Sequence, residues 1–370
     1  MANKPEKKIP AKPQNHKISK NTPVQKKSLQ FPPWTIYAII VLTAIAYAGS
    51  LFNGFASLDD TDYIVKNPYI KEFNFNSVKD IFSTFYVGNY HPLTTLTFFF
   101  EKHIYGQNPF PFHLFNLILH LINTFLVYKL IEKLSGQRFS ALLVSALFAL
   151  HPMHVESVAW ISERKDVLYT VFYLGALLLY SKYLEADQKK KFYWISLFLF
   201  ILSLLSKSAA VTLPVIMIAI DIYKRRKINA KIVIEKIPFV LPALLFGVLA
   251  LFSQQGAMKD ISYYSIVDRI FMFTYTIVFY VVKVIAPFKL SAMHYYPDVK
   301  SAFLPWYYYA SLPLLLLLIW LTIRKTKLLR EKIFGVSFFL VVISIMLQII
   351  SVGNAITAER YSYVSYIGLF

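Results

Sequence analysis

Between His151 and Asp166 the sequence reads HPMHVESVAWISERKD. These sixteen residues hold two His, two Glu, an Arg, a Lys, an Asp and a Trp, with apolar runs at 141–150 and 167–183 on either side. Arg164 and Lys165 could hold a phosphate, the arginine as a bidentate fork and the lysine as a point charge. His151 and His154 stand three apart and share a face if the helix continues. They are candidate metal ligands, but Pro152 separates them and no third ligand is near, so zinc is the poorer reading. Glu156, Glu163 and Asp166 could neutralise the cations. Trp160 could anchor at a membrane interface or stack against a sugar.

Asp59 and Asp60 are the next candidates. A carboxylate in the bilayer core costs about 2.5–3.5 kcal/mol, so a pair beside a span belongs at the interface or in a wet cavity. The plain reading is a solvated loop acid or a helix cap. The sharper one is a general base aimed at an acceptor hydroxyl. A divalent cation held by Asp59 and Asp60 is a further possibility, since hard cations take carboxylate oxygens.

Lys207 lies between two apolar runs in LLSKSAAVTLP, and Glu359 and Arg360 lie in TAERYSYVSY. A lone lysine at a helix end usually snorkels. Several outer loops nevertheless each bring one cation to the membrane plane. That pattern suits a pocket for an anionic headgroup whose tail lies in lipid. His91, His113 and His120 read as core or interface histidines, and His91 is kept as a substrate-pocket candidate beside Glu156, Trp160 and Glu359.

The elements that must position these groups are membrane helices. The chain of 370 residues is 56% hydrophobic with mean hydropathy +0.49, more apolar surface than a soluble domain can hide. The net charge of +19 would suggest nucleic acid in a soluble protein. Here the cations cluster in a tail and short loops, so lipid headgroups and the positive-inside rule explain them and no nucleic acid is expected. There is no cysteine, which excludes disulfides and thiolate metal sites. No phosphate-cradling glycine loop, dinucleotide fingerprint or zinc spacing occurs.

Residues 1–33 are Lys- and Pro-rich and read as a disordered cytoplasmic tail. Trp34–Phe52 has nineteen residues, near the ~20 that cross ~30 Å of hydrocarbon. It delivers residues 53–112 to the outer side, with segments 73–86 and 92–100 expected along the interface. Apolar runs follow at 114–131, 139–150, 167–183, 192–205, 209–223, 237–252, 270–288, 306–323 and 333–351, and a last run starts at Tyr363. The basic loops at 186–191, 224–236 and 324–332 sort to the cytoplasm and the polar stretch 151–166 to the outside. Parity then needs an even number of crossings between 236 and 324, where three runs occur. The segment 263–288 is therefore expected to lie in the interface or re-enter. The fold class is an all-α polytopic membrane bundle, with about 10–11 transmembrane helices over residues 34–370 and the long first extracytoplasmic loop.

LDDTDYIVKNPYI, HPLTTLTFFFEKHIYGQNPFPFHLFNLILHLINT, the 151–166 stretch, LSKSAAVTLPVIMIAIDIY and AERYSYVSYIGLF together resemble the membrane half of TMTC-like glycosyltransferases. These are transmembrane and tetratricopeptide-repeat proteins related to protein O-mannosyltransferases, with a GT-C fold. The similarity runs over about 34–370, and bacterial members are nearest in character. The resemblance implies transfer of a hexose, typically mannose, from a polyprenyl-phosphate carrier to a protein hydroxyl outside the cytoplasm, at the plasma (inner) membrane. It assigns Asp59 or Asp60 as base and suggests His151, His154, Arg164, Lys207 and Arg360, with Lys165, near the carrier phosphate. Inversion by direct displacement is the expected course. The family's C-terminal repeats are expected to be absent or truncated. Ser208 after Lys207 departs from the family pattern and leaves the role of that position open. Two rivals stand beside this reading: a flippase for a lipid-linked sugar, with polar residues through the bundle midplane, and a non-catalytic membrane scaffold.

Overall fold

The computed structural model describes residues 31–185, 189–257, 264–298, 303–347, 353 and 355–370. The N-terminal tail therefore lies outside the described residues, apart from 31–33. Helix α1 spans Thr35–Tyr47 and is prolonged to Phe52 by one tight 3-10 stretch. The first loop then folds into two helices, α2 (Phe75–Ser83) and α3 (Pro92–Tyr105). Asn74 caps α2 by accepting the Ser77 amide at 2.8 Å. Ile64, Ile70, Ile81, Phe98, Phe99 and Phe112 give this loop a small apolar core, which also takes in Ile161. The loop is thus a packed cap rather than a solvated excursion.

Two helices organise the rest. In α4 (Pro109–Ser135) Asn108 accepts the Phe110 amide with Pro109 at the first position, and Gly136 at φ 69° ends the helix. Helix α7 (Arg164–Glu185) packs against α4 and against α8 (Lys190–Ser206). One face of its middle is fully inaccessible, at Tyr173, Leu174, Ala176, Leu177 and Tyr180, and the other, at Val171, Phe172, Gly175, Leu178 and Leu179, is half-buried. A helix apolar all round belongs at the centre of a bundle.

The polar residues of α4 follow from what lies opposite them. Helix α5 (Arg138–Leu150) bends by 57° into the segment Pro152–Ala159, which contains α6 (Val155–Ala159), and the chain breaks again before α7. Each break frees backbone carbonyls that lipid cannot satisfy. Asn116 donates to the Trp160 carbonyl at 3.1 Å, His120 meets the Ala149 carbonyl at 3.0 Å, and Asn123 donates to the Val167 carbonyl at 2.8 Å. Their i, i+4, i+7 spacing puts all three on one face. His120 is accordingly a core histidine, bridging that carbonyl to the Tyr363 hydroxyl at 2.7 Å.

The remaining helices are α9 (Leu213–Tyr223), α10 (Ala230–Ser253), α11 (Ile266–Ile285), α12 (Trp306–Ile323) and α13 (Leu329–Ile343). A Ser265–Asp268 capping box opens α11. Two short strands, β1 (His294–Tyr295) and β2 (Ala355–Thr357), pair antiparallel. Among the described residues, five helices are long and apolar enough to cross a membrane, or six if the bent pair counts as one span. The larger count of about 10–11 spans includes α8, α9 and α13, whose 17, 11 and 15 residues are short for a straight crossing.

One further expectation changes. Over Tyr363–Phe370 the run is not α-helical: Glu359–Ser362 and Ser365–Gly368 are short 3-10 turns, with Tyr363 and Tyr366 buried. Within the segment 263–288 a 20-residue helix, α11, packs on α12 and carries Asp268, Arg269 and Lys283; it is not one of the five helices long and apolar enough to cross a membrane. It is followed by a segment that meets the chain near its C-terminal turns: the Arg360 guanidinium donates to the Ala292 carbonyl at 3.0 Å, and the Ser291 amide donates to Glu359.

Candidate active site

The first turn of α7 is the polar stretch itself. Arg164, Lys165 and Asp166 are successive helical residues, so their side chains fan out by about 100° each. That geometry gives them three different fates. Arg164 is fully buried and turns toward the first loop. It pairs with Glu101 of α3 and donates to the Asn116 side chain at 2.9 Å and the Phe112 carbonyl at 2.8 Å. Its guanidinium lies 4.5 Å from the Phe98 ring centroid and 4.8 Å from that of Phe115. Every arm is engaged, and Arg164 does not line the cavity described next.

Lys165 faces that cavity, and Asp166 lies buried behind its wall, paired to Lys207. The cavity has a volume of about 360 Å³ and is lined by Asp59, His91, Glu163, Lys165, Lys207 and Arg360 on its polar side, with Val211, Leu251 and Ile345 opposite. Its polar side alone draws on four separated pieces of chain: the first loop, the start of α7 and the segments at Lys207 and Arg360. Lys165 Nζ lies 3.0 Å from Glu163 and 3.8 Å from Asp59. Glu163 also faces Arg360 at 3.4 Å, and Arg360 pairs with Glu156. Lys207 pairs with Asp166, which also accepts from the Ser157 hydroxyl at 3.1 Å. The result is an alternating chain of acids and bases along one wall.

The neighbouring acids Asp59 and Asp60 part company. Asp60 is 1% exposed. One of its oxygens accepts the Ser162 amide and the other the Ala56 amide, both at 2.8 Å. It clamps the first loop to the start of α7. Asp59, whose side chain is 39% exposed, turns into the cavity. Burial raises the Asp59 pKa, Lys165 opposes the rise and Glu163 adds to it. A cation bridging both acids would have to displace two backbone amides from Asp60. Among the described residues, no three His, Asp or Glu side chains gather as a metal site requires.

His91, the residue preceding α3, lines the cavity with its Nδ1 unpartnered among the described residues. Burial and then the charges of Lys165 and Lys207 hold its pKa well below the usual value, so it is neutral. For Arg360, burial alone would loosen the proton, but Glu163, Tyr361 and Glu156 outweigh burial and raise its pKa. Trp160 lies beneath Arg360, whose guanidinium is 5.5 Å from a Trp160 ring centroid. Glu359 turns aside to the Ser291 amide, with His294 3.8 Å away.

His151 and His154 are elsewhere. His154 is fully buried, with Nδ1 2.7 Å from the Phe148 carbonyl and rings of Phe148 and Tyr363 around it. His151 meets the Val284 carbonyl at 3.2 Å and packs on Tyr366 and Phe370. Both fill the bend between α5 and α6, and neither lines the cavity.

Sequence reading gave Glu163 and Asp166 only a neutralising part. Both lie at the centre of the site, Glu163 between two cations and Asp166 on Lys207. The available signal was their position around Arg164 and Lys165, in the turn where a helix starts. Asn89 and Gln254, which also line the cavity, carried no signal of their own.

A bundle of apolar helices, in which the first turn of α7 follows a sharp bend and meets the folded first loop over a charged cavity, is an all-α polytopic membrane protein of GT-C-like type. Residues 92–254 match the family described as dolichyl-phosphate-mannose-protein mannosyltransferase. A protein O-mannosyl-transferase of Caenorhabditis elegans is 33% identical over 211 residues, covering 53% of this chain and 29% of that protein. Protein O-mannosyl-transferase TMTC1 of Homo sapiens is 30% identical over 223 residues, 55% of this chain and 25% of its own length. Its Drosophila melanogaster namesake is 36% identical over 129 residues, 34% and 14%. Over these residues the chain is similar to the TMTC-like, O-mannosyl-transferase-related proteins. It spans less than a third of the length of these relatives. No solved structure matches it.

Proposed function

We propose that this protein is a membrane glycosyltransferase that moves a hexose from a polyprenyl-phosphate carrier to a Ser or Thr hydroxyl of a protein, with Asp59 as the base. The observation that carries the reading is one cavity holding a half-buried carboxylate, Asp59, and three cations, Lys165, Lys207 and Arg360. The relatives' names supply the sugar and the acceptor class. The cavity supplies the chemistry.

In this reading the acceptor oxygen attacks the anomeric carbon from the side of Asp59. The bond from that carbon to the phosphate oxygen breaks, and its electron pair stays on the phosphate. The hydroxyl proton passes to Asp59. One base and one leaving-group pocket suffice, so the anomeric configuration inverts. A lysine ammonium carries three donors and a guanidinium five, so each cation keeps donors for the phosphate while paired to its acid. Charge growing on the leaving phosphate is what such fixed donors stabilise. Asp166, Glu163 and Glu156 hold the cations in place in the absence of substrate. Asp60 is a positioning residue, acting through the backbone at Ser162. His151, His154 and Arg164, also candidates for the phosphate, are in this reading structural.

The flippase reading calls for charges through the midplane. Buried charge instead gathers at the two ends of α7. At the far end Tyr180, Asp221, Arg226, Glu235 and Lys236 form a second ion cluster. Between the ends, Tyr169, Thr170 and Tyr173 are the buried polar side chains of α7 and none carries a charge, which weighs against a path.

The test is transfer from polyprenyl-phosphate mannose to an acceptor peptide by the protein in lipid nanodiscs. Asp59→Asn is expected to lower kcat by about 10²–10⁴-fold with unchanged thermal stability. Asp60→Asn is expected to lose thermal stability by about 1–3 kcal/mol, because an amide nitrogen would face a backbone amide. Full transfer by Asp59→Asn would end the assignment of the base.

A further inference from the structure

Over its eleven residues α9 runs about 16 Å away from the charged cavity. Its last turn and the start of α13 bound a separate cleft of about 490 Å³. Ala219, Ile222, Ile333 and Phe334 give it an apolar floor. Lys327, which is exposed, and Arg330, which is half-buried, stand at its rim. Ile222 and Ile333 are exposed, so the cleft opens sideways to lipid.

The two rim cations differ from their neighbours. At this end of the bundle Lys224, Arg226 and Lys236 are each paired with Glu185, Asp221 or Glu235. Among the described residues neither Lys327 nor Arg330 forms an ion pair. Glu331, the one acid in the loop 324–332, lines an adjoining cavity instead. Arg330 is nevertheless held in place: its guanidinium carbon lies 4.7 Å from the Tyr223 ring centroid, and that ring packs on Phe334 at 4.7 Å. Stacking uses the face of a guanidinium and leaves its in-plane N–H donors for an acceptor.

We infer that this cleft binds an anionic phospholipid of the leaflet that faces the basic loops, the cytoplasmic one by the charge bias. The phosphate sits between Lys327 and Arg330, with the arginine as a bidentate fork, and an acyl chain lies along Ile222 and Ile333. Charge and shape select this ligand together. A free phosphate would satisfy the rim and leave the apolar floor uncovered. An uncharged lipid would cover the floor and leave two cations without a counter-charge. Basic pockets between membrane helices on the cytoplasmic side suit anionic headgroups for this reason. A lipid seated here touches both α9 and α13 and so stabilises their contact. No residue of the cleft lines the charged cavity, so the inference stands apart from the glycosyltransferase reading.

The test is a titration of the whole purified protein in neutral detergent with phosphatidylglycerol, phosphatidylcholine or inorganic phosphate. Tm is followed in each arm, and retained lipid is counted by native mass spectrometry. Phosphatidylglycerol is expected to raise Tm and to be retained, and the other two to do neither. Lys327→Gln with Arg330→Gln should weaken phosphatidylglycerol about tenfold. Lys227→Gln with Lys325→Gln removes as much charge from the same two loops outside the cleft and should leave binding unchanged. Ser337→Trp fills the floor while keeping both cations, and should weaken binding as well. Equal binding of phosphatidylcholine, or equal weakening by the control pair, would mean a general affinity for lipid or for charge and would overturn the site. A matching shift with inorganic phosphate would replace the lipid by a soluble anion and overturn it too, as would binding unchanged in either cleft variant. Sugar transfer is not read, so neither result bears on the assignment of Asp59.

Discussion

At the scale of single residues, the adjacent acids show how backbone geometry divides labour. Asp60 spends its charge on two amides, while Asp59 is left facing three cations at partial burial. Burial raises the Asp59 pKa and Lys165 lowers it. A base must be ionised to accept a proton, so transfer is expected to fall on the acid side, along a limb set above the ordinary carboxylate range. Removing Lys165 removes the opposing charge, and Lys165→Met should therefore move that limb to higher pH. A kcat/KM profile against pH measures the shift. An unmoved limb would mean that another group titrates there. His91, held neutral, should contribute no limb of its own at neutral pH.

The ties between elements decide whether the cavity forms. Arg164 and Glu101 join α7 to α3, and both are buried. Removing one partner strands a buried charge and should cost about 3–5 kcal/mol, whereas replacing both by apolar residues should cost less than either single change. Thermal unfolding of Arg164→Met, Glu101→Leu and the double variant reads this directly. A double variant no better than the singles would mean that the donors to Asn116 and Phe112 carry the tie. A second contact is purely steric. A β-carbon on Gly335 of α13 would collide with the backbone carbonyl of Gly368. Gly335→Ala is expected to push the C-terminal turns off α13 and lower stability by about 1–3 kcal/mol, measured as a fall in Tm.

For the whole molecule, the question is which face of the bilayer each end of α7 meets. The basic loop at 224–236 adjoins one ion cluster and the first loop adjoins the other, so the charge bias predicts the cavity outside. The sequence contains no cysteine, so single cysteines report cleanly. Leu58→Cys is expected to react with a membrane-impermeant maleimide in intact cells, and Lys227→Cys only after permeabilisation. Ser291→Cys should behave like Leu58→Cys, because Ser291 contacts Glu359 beside the cavity. Labelling of Ser291→Cys only from the cytoplasm would invert the placement of the segment after α11.

Much was legible in the chain alone, because lipid imposes a coarse rule. Long apolar runs must be helices, and charges in such a chain must cluster where water or partners exist. The helices, the length of the first loop, the polar stretch and five of the cavity's polar residues, Asp59, His91, Lys165, Lys207 and Arg360, could be read that way, whereas the packing of that loop into a cap could not. What the sequence left open was direction. Arg164 and Lys165 are neighbours of like charge, as Asp59 and Asp60 are, and in each pair one residue serves the scaffold and the other the cavity. Successive side chains on a helix point about 100° apart, so only the packed positions of α3, α4 and the first loop decided which of each pair met the site. The same holds for His151 and His154, which resemble ligands in sequence and fill a bend in space.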